Sequence, residues 1–189
     1  NSKLGVFTIA GWGTVRKNLR PAVDEGVDVI RVGCHCTEAD TTAGLITFAR
    51  DQGKAAFGCL MMSHMADGKT LARECSKMQS YGAQGVVLMD SAGTHLPEEV
   101  SAKFEILSAE VEIPVGFHAH NNLGLAIANS IAAVRAGGLI LDGTARGFGA
   151  GAGNAQLEVI VGVLQKLGYE THIDLYKVLD LSDLAEKRI

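Results

Sequence analysis

The sequence predicts an α/β fold built on a parallel sheet, and two recurring features support this prediction. Short runs that are apolar on both faces are typical of parallel strands covered by helices on both sides. Six such runs occur in the 189 residues, at positions 4–10, 27–33, 55–62, 85–89, 113–117 and 139–141. The helical patterns between them mostly stop at a glycine, which accepts the left-handed conformation that closes a helix. These glycines are Gly26, Gly53, Gly82, Gly137 and Gly168.

The spacing of these glycines, 27 to 31 residues or a multiple of that, matches one strand and one helix. Six such units imply right-handed crossovers in either an open, doubly wound sheet or part of a closed barrel. Helices are expected at 69–81 and 96–109, with an amphipathic helix at 174–188 after the sixth unit. Pro21 interrupts the first helical pattern and is expected to bend or restart that helix. With no recognisable linker, residues 1–189 are expected to form one domain.

Composition argues against two kinds of partner. The formal net charge is −4, so the chain offers no field that would attract nucleic acid or an anionic membrane. No segment reaches the roughly 18 apolar residues of a membrane span. The four cysteines lie in or beside apolar segments and are expected to be reduced thiols of a cytoplasmic protein. Cys34 and Cys36 flank His35, but small buried thiols at a strand end explain this spacing as well as a metal does.

In both architectures the ligand site gathers at the carboxyl ends of the strands, where this sequence is unusually polar. The polar residues that follow the runs are His35, Thr37, Glu38, Ser63, His64, Asp90, Ser91, His118, His120, Asn121 and the glycine-rich stretch 147–154. His118 and His120 give the sharpest signal, because residues two apart on a strand point to the same side. Two imidazoles and a carboxylate form an open site for a divalent metal. The alternative is a pair of hydrogen-bonded histidines without a metal, but the position at a strand end favours the metal.

The other strand ends leave alternatives open. Ser91 is suited to donate to a substrate carboxylate and Asp90 to support a metal ligand, but Asp-Ser-Ala-Gly is also ordinary turn chemistry. His64 and His95 are lone histidines near loops, which favours hydrogen-bonded loop residues. Residues 147–152 fit the looser form of the dinucleotide fingerprint. Because that fingerprint normally opens its sheet, an open-sheet nucleotide-binding module is the weaker hypothesis.

Five segments together resemble the 4-hydroxy-2-oxovalerate (4-hydroxy-2-oxopentanoate) aldolases, which are pyruvate-dependent metallo-aldolases. They are HCTEAD at 35–40, LMMSHM at 60–65, MDSAG at 89–93, HAHNNLGLAIANS at 118–130 and GAGAGN at 149–154. The histidine segment alone is shared with isopropylmalate synthases and hydroxymethylglutaryl-CoA lyases, whereas HCTEAD and MMSHM favour the aldolases. The resemblance covers nearly the whole chain.

This resemblance implies a (β/α)8 TIM barrel, here incomplete, with about six βα units of eight present. It implies that His118 and His120 ligate a divalent metal, usually manganese, and that Ser91 and His118 contact the substrate. Asn154 matches an asparagine that ligates metal in the related lyases. In the implied retro-aldol reaction, the metal acts as a Lewis acid that binds the 2-oxo acid and stabilises the pyruvate enolate. A base takes the proton from the 4-hydroxyl group, and an aldehyde is released.

The sequence also departs from the family pattern. The family opens with a strand that carries an Arg-Asp pair and, a few residues on, a histidine; these supply substrate binding, a carboxylate metal ligand and the catalytic base. They have no counterpart here, nor does the C-terminal domain that contacts an acylating aldehyde dehydrogenase. We therefore expect a barrel fragment, inactive alone, whose two sheet edges are covered by another copy or chain, unless the protein began as a longer one. The alternative is a noncatalytic interaction subunit that a partner chain completes.

Overall fold

A computed structural model describes residues 2–188 of the chain, and its central element is a six-stranded parallel sheet. The strands are β1 (Gly5–Ile9), β2 (Val29–His35), β3 (Ala55–Met61), β4 (Val86–Asp90), β5 (Val115–Ala119) and β6 (Ile140–Asp142). The six predicted strands are therefore confirmed. Each strand pairs with the next one along the chain, so the strand order is the chain order. A doubly wound sheet reverses its order at a switch point, which excludes that architecture for the described strands.

Helices alternate with the strands. They are α1 (Arg20–Asp24), α2 (Ala43–Asp51), α3 (Gly68–Ser80), α4 (Pro97–Glu110), α5 (Ala126–Arg135), α6 (Leu157–Lys166) and α7 (Leu175–Arg188). None of the helices in residues 2–188 is both long and apolar enough to cross a membrane. The domain predicted over residues 1–189 also includes Asn1 and Ile189, which lie outside the described residues.

The sheet is strongly curved, and one side-chain contact proves it. Strands β2 and β6 are four positions apart in the sheet, a separation of roughly 19 Å if the sheet were flat. Yet Nη2 of Arg31, on β2, lies 2.7 Å from Oδ2 of Asp142, on β6. The two side chains meet only if the sheet curls around its inner face. Six consecutive parallel strands, curled with their helices outside, are six βα units of a (β/α)8 barrel.

The hydrophobic core lies between the outer face of the sheet and the helices. Phe117 of β5 packs edge-to-face against Phe104 of α4, with ring centroids 5.8 Å apart. Both rings are about 1% exposed. The concave inner face is more open, and Phe7 of β1 is 47% exposed. Burial therefore fixes the helices on the outside and leaves the inner face for polar groups.

The five glycines that were predicted to end helices adopt the expected backbone conformation. All five predicted glycines have a positive φ, between 67° at Gly53 and 106° at Gly82. The first helix changes form at Pro21, as predicted. A wide turn at Val15–Leu19, in which the Leu19 amide donates to the Thr14 carbonyl, gives way to α1 with Pro21 in its first turn.

Replacing Gly26 by alanine is expected to lower the free energy of unfolding by about 1–2 kcal/mol, because φ is +90° there. No heavy atom lies within 4 Å of the added methyl group, so the backbone conformation alone accounts for the loss. As a control, Gly162→Ala lies inside α6 with an ordinary contact to Leu175 at 3.9 Å. It is expected to stabilise by about 0.5–1 kcal/mol through helix propensity. Urea denaturation measures both, and equal effects would contradict this account of the helix ends.

Candidate metal and substrate site

The two histidines of the predicted metal site lie side by side at the carboxyl end of β5. His118 is in the strand, and His120 follows its last residue, Ala119. Their ring centroids are 5.2 Å apart and their planes are inclined by 60°. Both side chains therefore project to the same side, as the spacing predicts, and the two rings are neighbours at the mouth of the sheet.

A carboxylate and a guanidinium extend this pair across the inner face. Oδ2 of Asp142 accepts a hydrogen bond from Nδ1 of His118 at 3.1 Å. Arg31 donates to both oxygens of the same carboxylate, from Nη1 to Oδ1 at 3.0 Å and from Nη2 to Oδ2 at 2.7 Å. Burial raises the pKa of Asp142, but the hydrogen bonds from His118 and Arg31 outweigh burial and leave the pKa below its usual value. Asp142 is thus an ionised acceptor.

His120 is tuned towards the neutral form. Burial lowers its pKa, and the nearby imidazole of His118 lowers it further. Metal ions bind the neutral imidazole. The electrostatics at His120 therefore favour the protonation state that a metal ligand requires.

Asn154 lies beside His120 and fits the predicted donor set. The two residues form an isolated antiparallel bridge, in which Asn121 N donates to Gly153 O and Ala155 N donates to Ala119 O. Such a pair, flanked by hydrogen bonds rather than joined by them, brings its side chains together on one face. Among the described residues, no group hydrogen-bonds to the buried Oδ1 of Asn154.

The donors present therefore suit a divalent cation, although the three candidate ligands include no carboxylate. Within residues 2–188, no three side chains of His, Cys, Asp or Glu form a group that could hold a metal. Two imidazole nitrogens and one amide oxygen are nevertheless ligands that divalent ions such as manganese accept. The unpaired amide oxygen beside His120 is the observation that supports this fit.

The glycine-rich stretch packs against the histidine segment instead of forming a phosphate cradle. Two of the amides near the start of the following helix are already used: Ala152 N donates to Oδ1 of Asn122, and Asn154 N donates to the carbonyl of Gly147. A side chain at Gly151 would collide with Asn122. Asn122 also donates to the carbonyl of Ala92, so one side chain joins the loops that follow β4, β5 and β6. The amides at these positions are therefore not available to bind the phosphates of a dinucleotide.

At the end of β4, Asp90 and Ser91 have different roles. Asp90 is fully buried and accepts hydrogen bonds from the amides of Thr94 and His95. These are the contacts expected of an aspartate that forms a turn. Oγ of the half-buried Ser91 accepts from the amide of Met62 at 3.0 Å. The same hydroxyl donates to the Met89 carbonyl across a long contact of 3.5 Å. A closer acceptor on a substrate would compete for that proton, whereas Asp90 shapes the loop.

The remaining predicted strand-end residues form no metal cluster in the described part of the chain. His95 is a buried loop residue, as expected, with Nε2 3.3 Å from Oγ of Ser63. His64 lies in the exposed turn that follows β3. Nδ1 of His35 contacts the Thr37 hydroxyl at 2.9 Å. The four cysteines are buried and free, which confirms the prediction of core thiols.

Sequence reasoning missed Arg31 and Asp142. A signal existed for both. Arg31 is a charge within an otherwise apolar strand, and a charge in such a place requires an opposite partner. Asp142 is the polar end of β6, one residue beyond the predicted run, and it stands opposite His118 in the strand register. What the sequence could not show is the curvature that brings Arg31 to Asp142.

Comparison with known proteins now assigns the family. The model of the HMGL-like family matches residues 14–185. The chain belongs to the HMGL-like family. It is 58% identical over 185 residues to a 4-hydroxy-2-oxovalerate aldolase of Spirochaeta aurantia, covering 98% of this chain and 54% of that protein. It is 53% identical to the 4-hydroxy-2-oxovalerate aldolase of Pectobacterium atrosepticum, again covering 98% and 54%. These matches confirm the predicted resemblance, and the chain spans about half the length of these curated relatives.

Two solved structures share the fold. The Bacillus subtilis HMG-CoA lyase superposes with a TM-score of 0.85 at 20% identity, covering 97% of this chain and 69% of that one. The carboxyl transferase domain of Rhizobium etli pyruvate carboxylase gives a TM-score of 0.84 at 20% identity, covering 95% and 33%. At this identity the likeness concerns the fold alone. It confirms the predicted α/β barrel architecture.

The buried His95 predicts how stability depends on pH. Burial lowers its pKa below 6.5, so the folded state holds the imidazole neutral, and its 3.7 Å approach to Glu99 is not an ion pair in that state. As pH falls through 6.5, the unfolded chain takes up this proton first, and stability is lost. His95→Gln keeps a polar side chain without the titration. We expect urea denaturation to show a smaller loss between about pH 7.5 and pH 5.5 in the variant.

Two comparisons complete this experiment. His172, which is 80% exposed beside Glu170, supplies a control histidine whose substitution by asparagine should leave the pH dependence unchanged. If the native chain and His95→Gln lose the same free energy over this range, the buried imidazole does not set the acid sensitivity.

Proposed function

We propose that this chain supplies the metal and substrate site of a divalent-metal-dependent 4-hydroxy-2-oxovalerate aldolase. The reaction is the retro-aldol cleavage of 4-hydroxy-2-oxopentanoate to pyruvate and acetaldehyde. One observation carries the proposal: His118 and His120 project together from the carboxyl end of a barrel strand. Relatives at 50–58% identity that bear this name support the choice of reaction.

His118, His120 and Asn154 are the residues that would hold the metal, which the family resemblance suggests is manganese. When bound, the cation supplies Lewis-acid polarisation of the 2-oxo group. The protein's own part is to orient the ligands: Asp142 holds the ring of His118, and the glycine-rich stretch holds Asn154 against His120. These supports fix the ligands before any substrate arrives.

Ser91 and His118 are proposed to contact the 2-oxo acid. The Ser91 hydroxyl donates to the Met89 carbonyl only across a long contact of 3.5 Å, so it is suited to donate to the substrate carboxylate instead. Cleavage breaks the bond between C3 and C4, and the proton of the 4-hydroxyl must pass to a base. The resemblance places this base on a segment without a counterpart in the sequence. We therefore propose that this chain binds metal and 2-oxo acid but has no turnover by itself.

Exposed apolar groups on the two outer strands favour a covering partner. Leu4 and Phe7 at β1 are 60% and 47% exposed, and Leu139, next to β6, is 74% exposed. Such groups at a sheet edge mark a surface that another chain or copy covers. We propose a second copy or a completing chain in this role, which is also how a noncatalytic interaction subunit would act. On the basis of the family resemblance, we also propose an acylating aldehyde dehydrogenase as a partner. We propose a cytoplasmic location because the four cysteines are free thiols.

The metal proposal predicts that the chain binds Mn2+ through the histidine pair. Isothermal titration of the purified chain is expected to show one site. His118→Ala and His120→Ala should each weaken it by at least about 100-fold, because an imidazole ligand is lost. Ser91→Ala should leave Mn2+ affinity unchanged but weaken the binding of pyruvate to the Mn2+-loaded chain.

His172→Asn is the matched control, because it removes an exposed imidazole from the loop between α6 and α7, at the opposite end of the strands. Its Mn2+ affinity should equal that of the native chain. Binding that survives both site substitutions would place the metal elsewhere and remove the basis of the aldolase proposal.

The partner proposal predicts a mass above that of one chain. Light scattering of the purified protein is expected to give more than 19.9 kDa, because copies cover one another's exposed edges. Replacing Phe7 and Leu139 by lysine should lower the mass by making both edges polar. A stable monomer of the native chain would refute the second copy and leave a different completing chain as the proposed partner.

A further inference from the structure

We propose that Asp142, held in place by Arg31, is a positioning residue that fixes His118 in its Nδ1–H tautomer and so presents Nε2 as the free ring nitrogen. The inference rests on the proposed function for its purpose, because Nε2 is then the nitrogen available to a metal. It concerns two residues that the sequence pattern did not single out.

The hydrogen-bond geometry leaves one assignment. Oδ2 of Asp142 lies 3.1 Å from Nδ1 of His118. The carboxylate is an acceptor only, because each of its oxygens already receives an N–H from Arg31. Nδ1 must therefore be the donor, and the neutral ring carries its lone pair on Nε2. A histidine free in water prefers the opposite tautomer, so the protein has to impose this one.

Arg31 fixes the carboxylate in the orientation that does this. A two-pronged contact from guanidinium to carboxylate sets both the position and the plane of the acceptor. The pair is largely shielded, with side-chain exposures of 27% for Arg31 and 16% for Asp142. Oδ2 accepts from Arg31 and His118 together, so the guanidinium holds the same oxygen that orients the ring.

An ion pair that only linked the two strands would not need the imidazole of His118. Arg31 and Asp142 form a two-pronged ion pair across the inner face without His118, and their contact alone is enough to link β2 to β6. His118 has Asp142 as its partner in the strand register as well. The carboxylate therefore serves two neighbours, and the position of the imidazole depends on the guanidinium of a strand four places away.

The test is the tautomer itself, measured without metal. Two-bond 15N–1H correlation spectra of the 15N-labelled chain near pH 8 distinguish a protonated from an unprotonated ring nitrogen. The native chain should show His118 with Nδ1 protonated. Asp142→Asn should shift the ring towards the Nε2–H form, because the amide is able to donate where the carboxylate only accepts. Mn2+ titration of the same variant should show affinity reduced by about 10–100-fold.

A second variant guards against misfolding. Arg31→Met combined with Asp142→Leu removes both charges at once, so no charge is left without its partner. It should also lose the Nδ1–H preference of His118. As a matched control, Asp51→Asn removes an exposed contact with Arg50 and should change neither the spectrum nor the affinity.

The outcomes separate the two proposals. A native chain that shows the Nε2–H form, or a double variant that folds and retains the Nδ1–H form, overturns the positioning role whatever the metal titration gives. A native chain with the expected tautomer, lost in the variants, supports the positioning role. If that same chain binds no Mn2+, the proposed metal function fails while the tautomer assignment stands.

Discussion

The pairing of Arg31 with Asp142 is the interaction on which the geometry of the candidate site depends. A guanidinium placed in an apolar strand has to find a carboxylate, because a shielded charge without a partner is far more costly than a paired one. The carboxylate that its two Nη groups reach is that of Asp142, at the end of β6. The curvature of the barrel makes this contact possible, and the contact ties β2 to β6 across the mouth that the strand ends form.

Because the strands curve around one mouth, the candidate site is assembled from residues of several βα units. His118 and His120 belong to one strand end, Asn154 to the returning glycine-rich stretch, and Ser91 to the neighbouring loop. Each is held by backbone or side-chain contacts made by another unit. The scaffold is therefore an interlocked set of strand ends, and the chemistry is distributed over consecutive βα units in the manner of barrel enzymes.

The sequence predicted the repeating parts of the fold well because they obey local rules. Apolar runs gave the six strands, and glycines such as Gly82 and Gly137 gave the helix ends, since both signals depend only on near neighbours. The histidine pair was predictable for the same reason, because strand geometry places residues two apart on one side. The ring orientation of His118 was not predictable.

The limits are equally physical. The partner of Arg31 lies 111 residues away, and no periodicity connects the two positions. The sequence assigned no role to Asn122, although its side chain bonds both the carbonyl of Ala92 and the amide of Ala152. The wide turn before α1 arises where Pro21 cannot donate to a preceding carbonyl, and the sequence gives the place of that break but not its form.

The long separation between Arg31 and Asp142 also bears on how the molecule forms. Contacts between residues far apart in sequence require large loops to close, and chains dominated by them fold slowly. Neighbouring βα units can associate as soon as each pair is available, but the ring of His118 cannot be oriented until β6 has joined the sheet. During synthesis, the histidines leave the ribosome before the carboxylate that aligns them. The alignment of the His118 ring therefore waits for the last of the six strands.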